Sequence, residues 1–118
     1  NEEIAALKVV KASTIKIERH VLRKIHARTY SQHIPMFYHA IRCQKFSCLI
    51  SSLLGPNLKD VHKSMGKKAN GQFNNFHVNT WIRIGMQALY GLKTLHDNGF
   101  VHRDVKPANF ALGVANDP

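Results

Sequence analysis

The chain has few cysteines, few acidic residues and no long apolar run. Its 118 residues include two cysteines, Cys43 and Cys48, whose five-residue spacing fits no zinc signature. Two cysteines cannot form a disulfide framework, so we expect free thiols in a reducing intracellular compartment, cytoplasmic or nuclear. No run of about 18 apolar residues is present, so we expect no membrane-spanning segment. The opening residues NEEIAALKVV also lack the form of a signal peptide.

Acidic residues are outnumbered by Lys and Arg, 7 to 17, which gives a net charge of +10. The imbalance is steepest in residues 8–45, where nine bases accompany one acid, Glu18. Such a charge suits nucleic acid, an anionic surface or acidic substrates, or serves solubility alone. The aromatic residues do not alternate with the Lys and Arg residues, as they would if they stacked on the bases of a nucleic acid. A nucleic-acid-binding protein is therefore the least favoured interpretation, and we expect no nucleic-acid partner.

The order of the apolar patterns predicts strands in the first half and helices in the second. The predicted elements are a strand at 4–10, a helix at 13–27 capped by Ser13 or Thr14, strands at 34–43 and 46–54, and helices at 58–66 and 80–99. Gly99 is expected to end the last helix, whose buried stripe would be Trp81, Ile84, Ala88, Leu92 and Leu95. A strand and a loop are expected after it. This order predicts an α+β fold with two unlike halves that meet near residues 53–58.

The stretch FVHRDVKPANFALG, residues 100–113, concentrates the polar chemistry of the chain. Asp104 lies between Arg103 and Lys106, and nearby cations keep a carboxylate ionised. Such a carboxylate can orient a hydroxyl and accept its proton late in a reaction. Lys106 can neutralise a transferring group, and Asn109 offers a neutral oxygen to Mg²⁺. A base, a cation and a metal ligand on one loop indicate phosphoryl transfer.

The residues HRDVKPAN resemble the catalytic loop of protein kinases, H-R-D-x-K-P-x-N, at six fixed positions. The lysine two residues after the aspartate is similar to that of serine/threonine kinases. LLGPNLKDV resembles the hinge of the casein kinase I group, and NFALG resembles the segment after its catalytic loop. IERHVLRKI is most similar to the tau-tubulin kinase branch. The resemblance covers residues 4–114 and implies a bilobal kinase fold, with residues 1–54 in the N-lobe and hinge and residues 55–118 in the C-lobe.

A kinase also needs a strand lysine, and the AALK stretch ending at Lys8 resembles the V-A-I-K motif. Lys8 interrupts an apolar strand, where an unpaired ammonium would be costly. Glu18 is the only acid between Ile4 and Lys59, and it falls on the apolar face of its helix. We therefore expect a Lys8–Glu18 ion pair. The alternative is that Lys8 reaches solvent and Glu18 pairs with a nearby arginine.

The resemblance implies an ATP site and a Mg²⁺ ion. By position, Ser52 and Leu54 would meet the adenine edge through backbone groups, with Ala6 above the ring and Ala111 below it. Ser51 would be the small gatekeeper in front of a back pocket. Lys8 would hold the phosphates, Asn109 the Mg²⁺, and Asp104 and Lys106 would act on the transferred phosphoryl group. His102 and Arg103 would have scaffolding roles.

Two further kinase motifs are missing from the sequence. No G-x-G-x-x-G precedes Lys8, and no D-F-G follows Asn109. We therefore expect an incomplete kinase domain, an internal fragment that is inactive alone, whose parent phosphorylates proteins with acidic or already phosphorylated sites. A pseudokinase or interaction module is the alternative; flanking sequence that supplies both motifs would favour the enzyme.

Overall fold

The computed structural model describes residues 4–11, 15–72 and 74–114. The first half forms a three-stranded antiparallel sheet of β1 (Ala5–Lys11), β2 (Phe37–Arg42) and β3 (Phe46–Ser52) in the order β1-β3-β2. The three predicted strands are confirmed, and the hairpin between β2 and β3 turns at Gln44 and Lys45. The apolar strand β3 pairs with both β1 and β2 and is therefore the central strand of the sheet.

The helix α1 (Ile15–His26) covers one face of this sheet. Ile15 and Leu22 pack on Leu49 of β3 and form the core, while Ile25 is completely buried. Burial of each such side chain stabilises the fold by about 1.5–3 kcal/mol. The predicted apolar face of the helix is thus confirmed, whereas the predicted caps Ser13 and Thr14 lie outside the described residues.

The other face of the sheet is uncovered by the part of the chain that the structure describes. Leu7 and Val9 of β1 are 62% and 59% exposed, and Ile41 of β2 is 46% exposed. These residues alternate with those that face α1, as side chains of a strand must. β1 is also an edge strand, with one side free of pairing among the described strands.

The second half contains α2 (Leu58–Ser64) and the long α3 (Val78–Asp97). Asn57 caps α2 by accepting a hydrogen bond from the backbone N–H of Asp60 at 3.0 Å. Gly99 follows the end of α3 with φ of +81°, in the left-handed conformation that glycine adopts readily, and so ends the helix as predicted.

The predicted buried stripe of α3 is partly wrong. Trp81 is 43% exposed, and the buried residue of the helix is Gly91, which lies against the backbone of His33. The segment after α1 covers α3 near Gly91, and Trp81 lies three turns of helix away. The expected strand after α3 is also absent from the described residues 100–106, and a short 3-10 helix at Pro107–Asn109 follows instead.

The two halves meet through the loop that follows α1. The Ser31 and Thr94 hydroxyls lie 3.3 Å apart, and the His33 ring stacks on Tyr90 of α3 with centroids 5.6 Å apart. The first half contains three strands and one helix, and the second half contains helices, which confirms the predicted α+β class. Among the described residues, no helix combines the length and apolarity needed to cross a bilayer.

Candidate active site

Asp104, Lys106 and Asn109 form one hydrogen-bonded cluster on the loop after α3. The Lys106 ammonium lies 2.7 Å from the Asp104 carboxylate. The side-chain amide of Asn109 donates to the backbone carbonyl of Asp104 at 2.8 Å and to its carboxylate at 3.0 Å. The loop thus brings together the three residues that were expected to have catalytic roles, and all three are exposed to solvent.

Local backbone geometry produces this cluster. Pro107, whose φ is fixed, begins the 3-10 helix that carries Asn109 back towards Asp104. Arg103 adopts φ of +64°, which costs a residue with a Cβ about 1–2 kcal/mol. The backbone N–H of Asp104 donates to Nδ1 of His102 at 3.3 Å. Strain of this kind is concentrated at functional sites, which supports a functional role for the loop.

The cluster also sets the charge of Asp104. Hydrogen bonds from Lys106 and then from Asn109 lower the pKa of Asp104 below its ordinary value, with smaller contributions from the Lys106 and His102 charges. Desolvation raises the pKa of Asp104; it outweighs either of these charges but not the two hydrogen bonds. The carboxylate is therefore ionised at neutral pH, as the sequence predicted.

Lys8 and Glu18 form the expected ion pair between β1 and α1. The Lys8 ammonium lies 2.8 Å from one carboxylate oxygen of Glu18 and 3.0 Å from the other. The apolar strand suggests a buried Lys8 ammonium, and this expectation is wrong, since the Lys8 and Glu18 side chains are 54% and 41% exposed. Lys8 is on an edge strand, so its ammonium reaches solvent beside α1. An ion pair this exposed contributes only about 0–1 kcal/mol to stability.

The segment after β3 is joined to the segment after the catalytic loop. The Gly55 N–H donates to the Leu112 carbonyl at 2.8 Å, and the Leu112 N–H donates to the Pro56 carbonyl at 3.1 Å. A single antiparallel bridge also links Asn57 to Ala111. A Cβ on Gly55 would lie 3.2 Å from the Leu112 carbonyl oxygen, so glycine permits the close approach. This pairing sets the position of Ala111 relative to the predicted hinge.

Four of the predicted site residues line one cavity of about 440 Å³: Ser52, Leu54, Asn109 and Ala111. The remaining predicted residues, Ala6, Lys8, Glu18, Asp104 and Lys106, are not part of its lining. The cavity extends instead to α3 and to residues 30–36. The structure therefore brings the predicted site residues other than Ala6 together as three groups, which are the ion pair, the loop after α3 and the hinge cavity. Ala6 lies on β1 opposite Ser51 of β3.

The hinge residues have specific local partners. The Ser52 N–H donates to the Met36 carbonyl at 2.9 Å, and the Ser52 hydroxyl accepts from the Met36 N–H at 3.0 Å. Ser52 is consequently buried, while Ser51 is half-buried. Because the Ser52 N–H is already used, only its backbone carbonyl could meet an adenine edge, and this carbonyl also accepts a hydrogen bond from the Ser51 hydroxyl at 3.5 Å.

A contact between α1 and the start of the catalytic segment was not predicted. The Lys24 ammonium lies 4.9 Å from the centre of the Phe100 ring, and the His20 ring meets the same ring edge-on at 5.8 Å. Cations are attracted to aromatic faces at such distances. These residues are about 80 positions apart along the chain, and no local pattern indicates their contact. The helix that holds Lys8 through Glu18 therefore also touches the residue four positions before Asp104.

The loop residues could supply some of the ligands of a magnesium ion. Because Asn109 uses its amide nitrogen towards Asp104, its oxygen is left to accept a cation, and this hard neutral ligand suits Mg²⁺. The described residues contain no cluster of three or more His, Cys, Asp and Glu side chains that could hold a metal. The site therefore fits an ion that is completed by phosphate oxygens and water rather than one held by protein alone.

Comparison with known proteins agrees with the resemblance of the loop and the hinge. The family model described as the protein kinase domain matches residues 1–116. The chain is 38% identical over 101 residues, 86% of its length, to an inactive tau-tubulin kinase of Caenorhabditis elegans, of which it covers 33%. A putative casein kinase I of the same organism is 39% identical over 98 residues, 83% of this chain and 26% of the relative.

A probable serine/threonine-protein kinase of Dictyostelium discoideum is 32% identical over 118 residues, 97% of this chain and 22% of the relative. The chain thus spans a third or less of the length of these relatives. The sheet with α1 and the helices with the loop correspond to portions of the two lobes of a kinase fold. With a match along almost its whole length, and relatives in the casein kinase I and tau-tubulin kinase groups, the chain belongs to the protein kinase family.

Proposed function

We propose that this chain carries the ATP site and catalytic loop of a protein serine/threonine kinase that transfers the γ-phosphoryl group of ATP to a protein hydroxyl. The observation that carries the proposal is the Asp104–Lys106–Asn109 cluster, in which an ionised carboxylate lies beside a cation and an amide. Residues 1–54 would belong to the N-lobe and hinge, and residues 55–118 to the C-lobe.

Asp104 would bind and orient the substrate hydroxyl and accept its proton as the bond to phosphorus forms. A carboxylate of low pKa is too weak a base to remove this proton beforehand. Proton transfer would therefore come late, when the oxygen has become acidic. Lys106 has three N–H donors, so it can bind Asp104 and a phosphoryl oxygen together.

Three groups of residues would bind the ATP molecule. Lys8, whose ammonium lies 2.8 Å from the Glu18 carboxylate, would bind the phosphate groups of ATP that are not transferred. Asn109 would give an oxygen to Mg²⁺, which supplies charge neutralisation to the phosphates when bound. The backbone of Ser52 and Leu54 would meet the adenine edge, and Ala6 and Ala111 would lie on its two faces.

The protein substrates would be acidic or already phosphorylated around the acceptor residue. Support comes from the net charge of +10 and from the bases of α1. Charge reversal at Arg23 or Lys24 in the full-length protein should weaken phosphorylation of acidic peptides more than that of neutral ones. Equal loss for both kinds of peptide would refute this preference.

A second candidate is a pseudokinase that binds partners without catalysis. One similar protein is named an inactive tau-tubulin kinase. The complete catalytic loop favours the enzyme. Incubation of the full-length protein with Mg²⁺ and γ-labelled ATP separates the two, because a kinase labels a serine- or threonine-containing peptide. Stabilisation by ATP without any labelling would establish the pseudokinase instead.

A further inference from the structure

The helix α1 contacts the two halves of the molecule with opposite sides. Glu18 faces the sheet and binds Lys8 of β1, with 2.8 Å between the charged groups. His20 and Lys24, which lie one helical turn apart, both contact the Phe100 ring at the start of the catalytic segment. Successive residues of a helix are about 100° apart around its axis, so His20 lies roughly 200° from Glu18. The helix is therefore held between the sheet and the segment that leads to the catalytic loop.

Lys24 contacts the second half through an aromatic ring. Its ammonium lies 4.9 Å from the centre of the Phe100 ring, within the distance of about 6 Å at which a ring face attracts a cation. Lys24 and Phe100 are both half-buried, and the partial removal of water strengthens this attraction. None of the ion pairs of the described residues includes Lys24. The Phe100 ring is therefore the group that places this ammonium.

The end of α3 adds a second attraction. The Lys24 ammonium lies 4.0 Å from the point where a Cβ on Gly99 would be, so it is beside the C-terminal end of α3. The C-terminal end of a helix carries a partial negative charge that stabilises a nearby cation. The backbone N–H of Phe100 donates to the Leu95 carbonyl at 3.0 Å, which ties Phe100 to the same helix end. Lys24 therefore contacts a point of the second half that α3 holds in place.

This contact joins two of the groups that form the candidate active site. Phe100 lies four residues before Asp104. Glu18, on the other side of α1, is the partner of Lys8. A shift of α1 away from Phe100 would move Glu18 and carry Lys8 away from Asp104, since one helix makes both contacts. The position of Lys8 relative to the catalytic loop thus depends on the contact between Lys24 and Phe100.

We propose that Lys24 is a positioning residue for phosphoryl transfer and acts through the Phe100 ring. Its contact holds α1 against the segment before the catalytic loop and so sets the place of the Lys8 ammonium. Lys8 and Asp104 have here the roles of the proposed function, on which the role of Lys24 rests. In this role Lys24 contacts neither ATP nor the protein substrate.

A role of Lys24 in positioning differs from a role in attracting acidic substrates. Loss of an attractive charge raises the KM of acidic peptides and spares neutral ones. Loss of a positioning contact lowers kcat and leaves the KM of a neutral peptide unchanged, because the reacting groups are less accurately placed in the transition state. A neutral serine-containing peptide therefore isolates the positioning role.

The kinetic test measures kcat and KM of the full-length protein with this neutral peptide at saturating Mg²⁺ and ATP. Lys24→Met should lower kcat roughly three- to ten-fold with KM unchanged, the effect of losing one contact between a cation and a ring. Lys24→Arg should retain activity, because a guanidinium group also stacks on an aromatic ring. Arg28→Met is the control and should retain kcat, since Arg28 is exposed after α1 and belongs to no ion pair or ring contact of the described residues.

Phe100→Leu tests the ring, since leucine keeps the apolar bulk but has no aromatic face. It should lower kcat by about the same factor as Lys24→Met. The double variant should lose no more than either single variant, because both changes remove the same contact. Losses that multiply in the double variant would overturn the proposal, as would a loss in Lys24→Arg as large as that in Lys24→Met.

Hydrogen exchange of the α1 backbone amides is measured on the same proteins and does not require activity. Lys24→Met should speed this exchange, whereas Lys24→Arg and Arg28→Met should not. Failure of the unaltered protein to label the peptide would contradict the proposed function, and unchanged exchange in Lys24→Met would then also refute the contact. An active unaltered protein with equal kcat in Lys24→Met would refute the role of Lys24 alone.

Discussion

The side-chain amide of Asn109 donates two hydrogen bonds to Asp104, one to the backbone carbonyl and one to the carboxylate, at 2.8 and 3.0 Å. The two residues are five positions apart, and Pro107 begins the turn between them. This contact holds the carboxylate in a fixed orientation although it is exposed to solvent. It also directs the amide oxygen of Asn109 to other ligands, so one residue both orients the base and remains available to a cation.

Lys106→Met should raise the pKa of Asp104 towards its ordinary value, because the largest cause of the lowering is the hydrogen bond from Lys106. A carboxyl group of lowered pKa stabilises the folded state above its ordinary pKa, and this contribution is lost as the pH falls through the lowered value. A carbon-13 NMR titration of the Asp104 carboxyl in both proteins measures the shift. An unchanged midpoint would show that Lys106 does not hold this carboxylate.

Lys8→Met should abolish phosphoryl transfer with little effect on stability. The Lys8–Glu18 pair is half exposed, so its loss should change the free energy of unfolding by about 1 kcal/mol or less. The phosphate groups of ATP, in contrast, would lose their contact with the Lys8 ammonium. Chemical denaturation and a labelled-ATP assay are carried out on the same preparations.

Lys11→Met is the matched control, since Lys11 is also exposed on β1 and forms no ion pair with the described residues. It should retain activity. Loss of activity in both variants to the same extent would contradict a specific role for Lys8.

Gly55→Ala and Gly85→Ala should change stability in opposite directions. At Gly55 an added Cβ would lie 3.2 Å from the Leu112 carbonyl oxygen, so this carbonyl, which accepts a hydrogen bond from the Gly55 N–H at 2.8 Å, must shift by a few tenths of an ångström, at a cost of about 1 kcal/mol. At Gly85, inside α3, nothing lies within 4 Å of an added Cβ, and alanine should stabilise the helix by about 0.5–1 kcal/mol. Urea denaturation measures both, and stabilisation by Gly55→Ala would show that the close approach is absent in solution.

Asn109→Ala should increase the Mg²⁺ concentration required for half-maximal phosphoryl transfer, because one oxygen ligand is removed. Asn70→Ala, in the exposed loop between α2 and α3, is the control. An unaltered Mg²⁺ requirement in Asn109→Ala would exclude Asn109 as a ligand. Chelation of Mg²⁺ should stop the reaction of the unaltered protein.

The helices and strands of this fold follow from local sequence patterns, whereas the solvent exposure of their side chains depends on which other segments cover them. Ile15, Leu22 and Ile25 repeat at helical spacing, so their burial under the sheet could be predicted. Trp81 fits the same kind of pattern on α3 yet is exposed, because contacts from distant segments decide which part of a long helix is covered.

The candidate site likewise contains contacts that could be predicted from the sequence and one that could not. Asp104, Lys106 and Asn109 lie within six residues, so their proximity could be predicted, and the turn that Pro107 begins brings them into contact. The Lys8–Glu18 pair could be predicted because Glu18 is the only acid in its region. The contact of Lys24 and His20 with Phe100 could not, since it depends on the angle between α1 and the second half.

The most direct test of the account compares the full-length protein with its Asp104→Asn variant in the presence of Mg²⁺, γ-labelled ATP and an acidic serine-containing peptide. Asparagine preserves the size of the side chain but cannot accept the hydroxyl proton. Asp97→Asn, which breaks the exposed ion pair with Lys93 on α3, is the matched control. We expect phosphate incorporation by the unaltered protein and by Asp97→Asn, and a loss of roughly 10²-fold or more in Asp104→Asn. Equal incorporation by the unaltered protein and Asp104→Asn, or none by either, would contradict it.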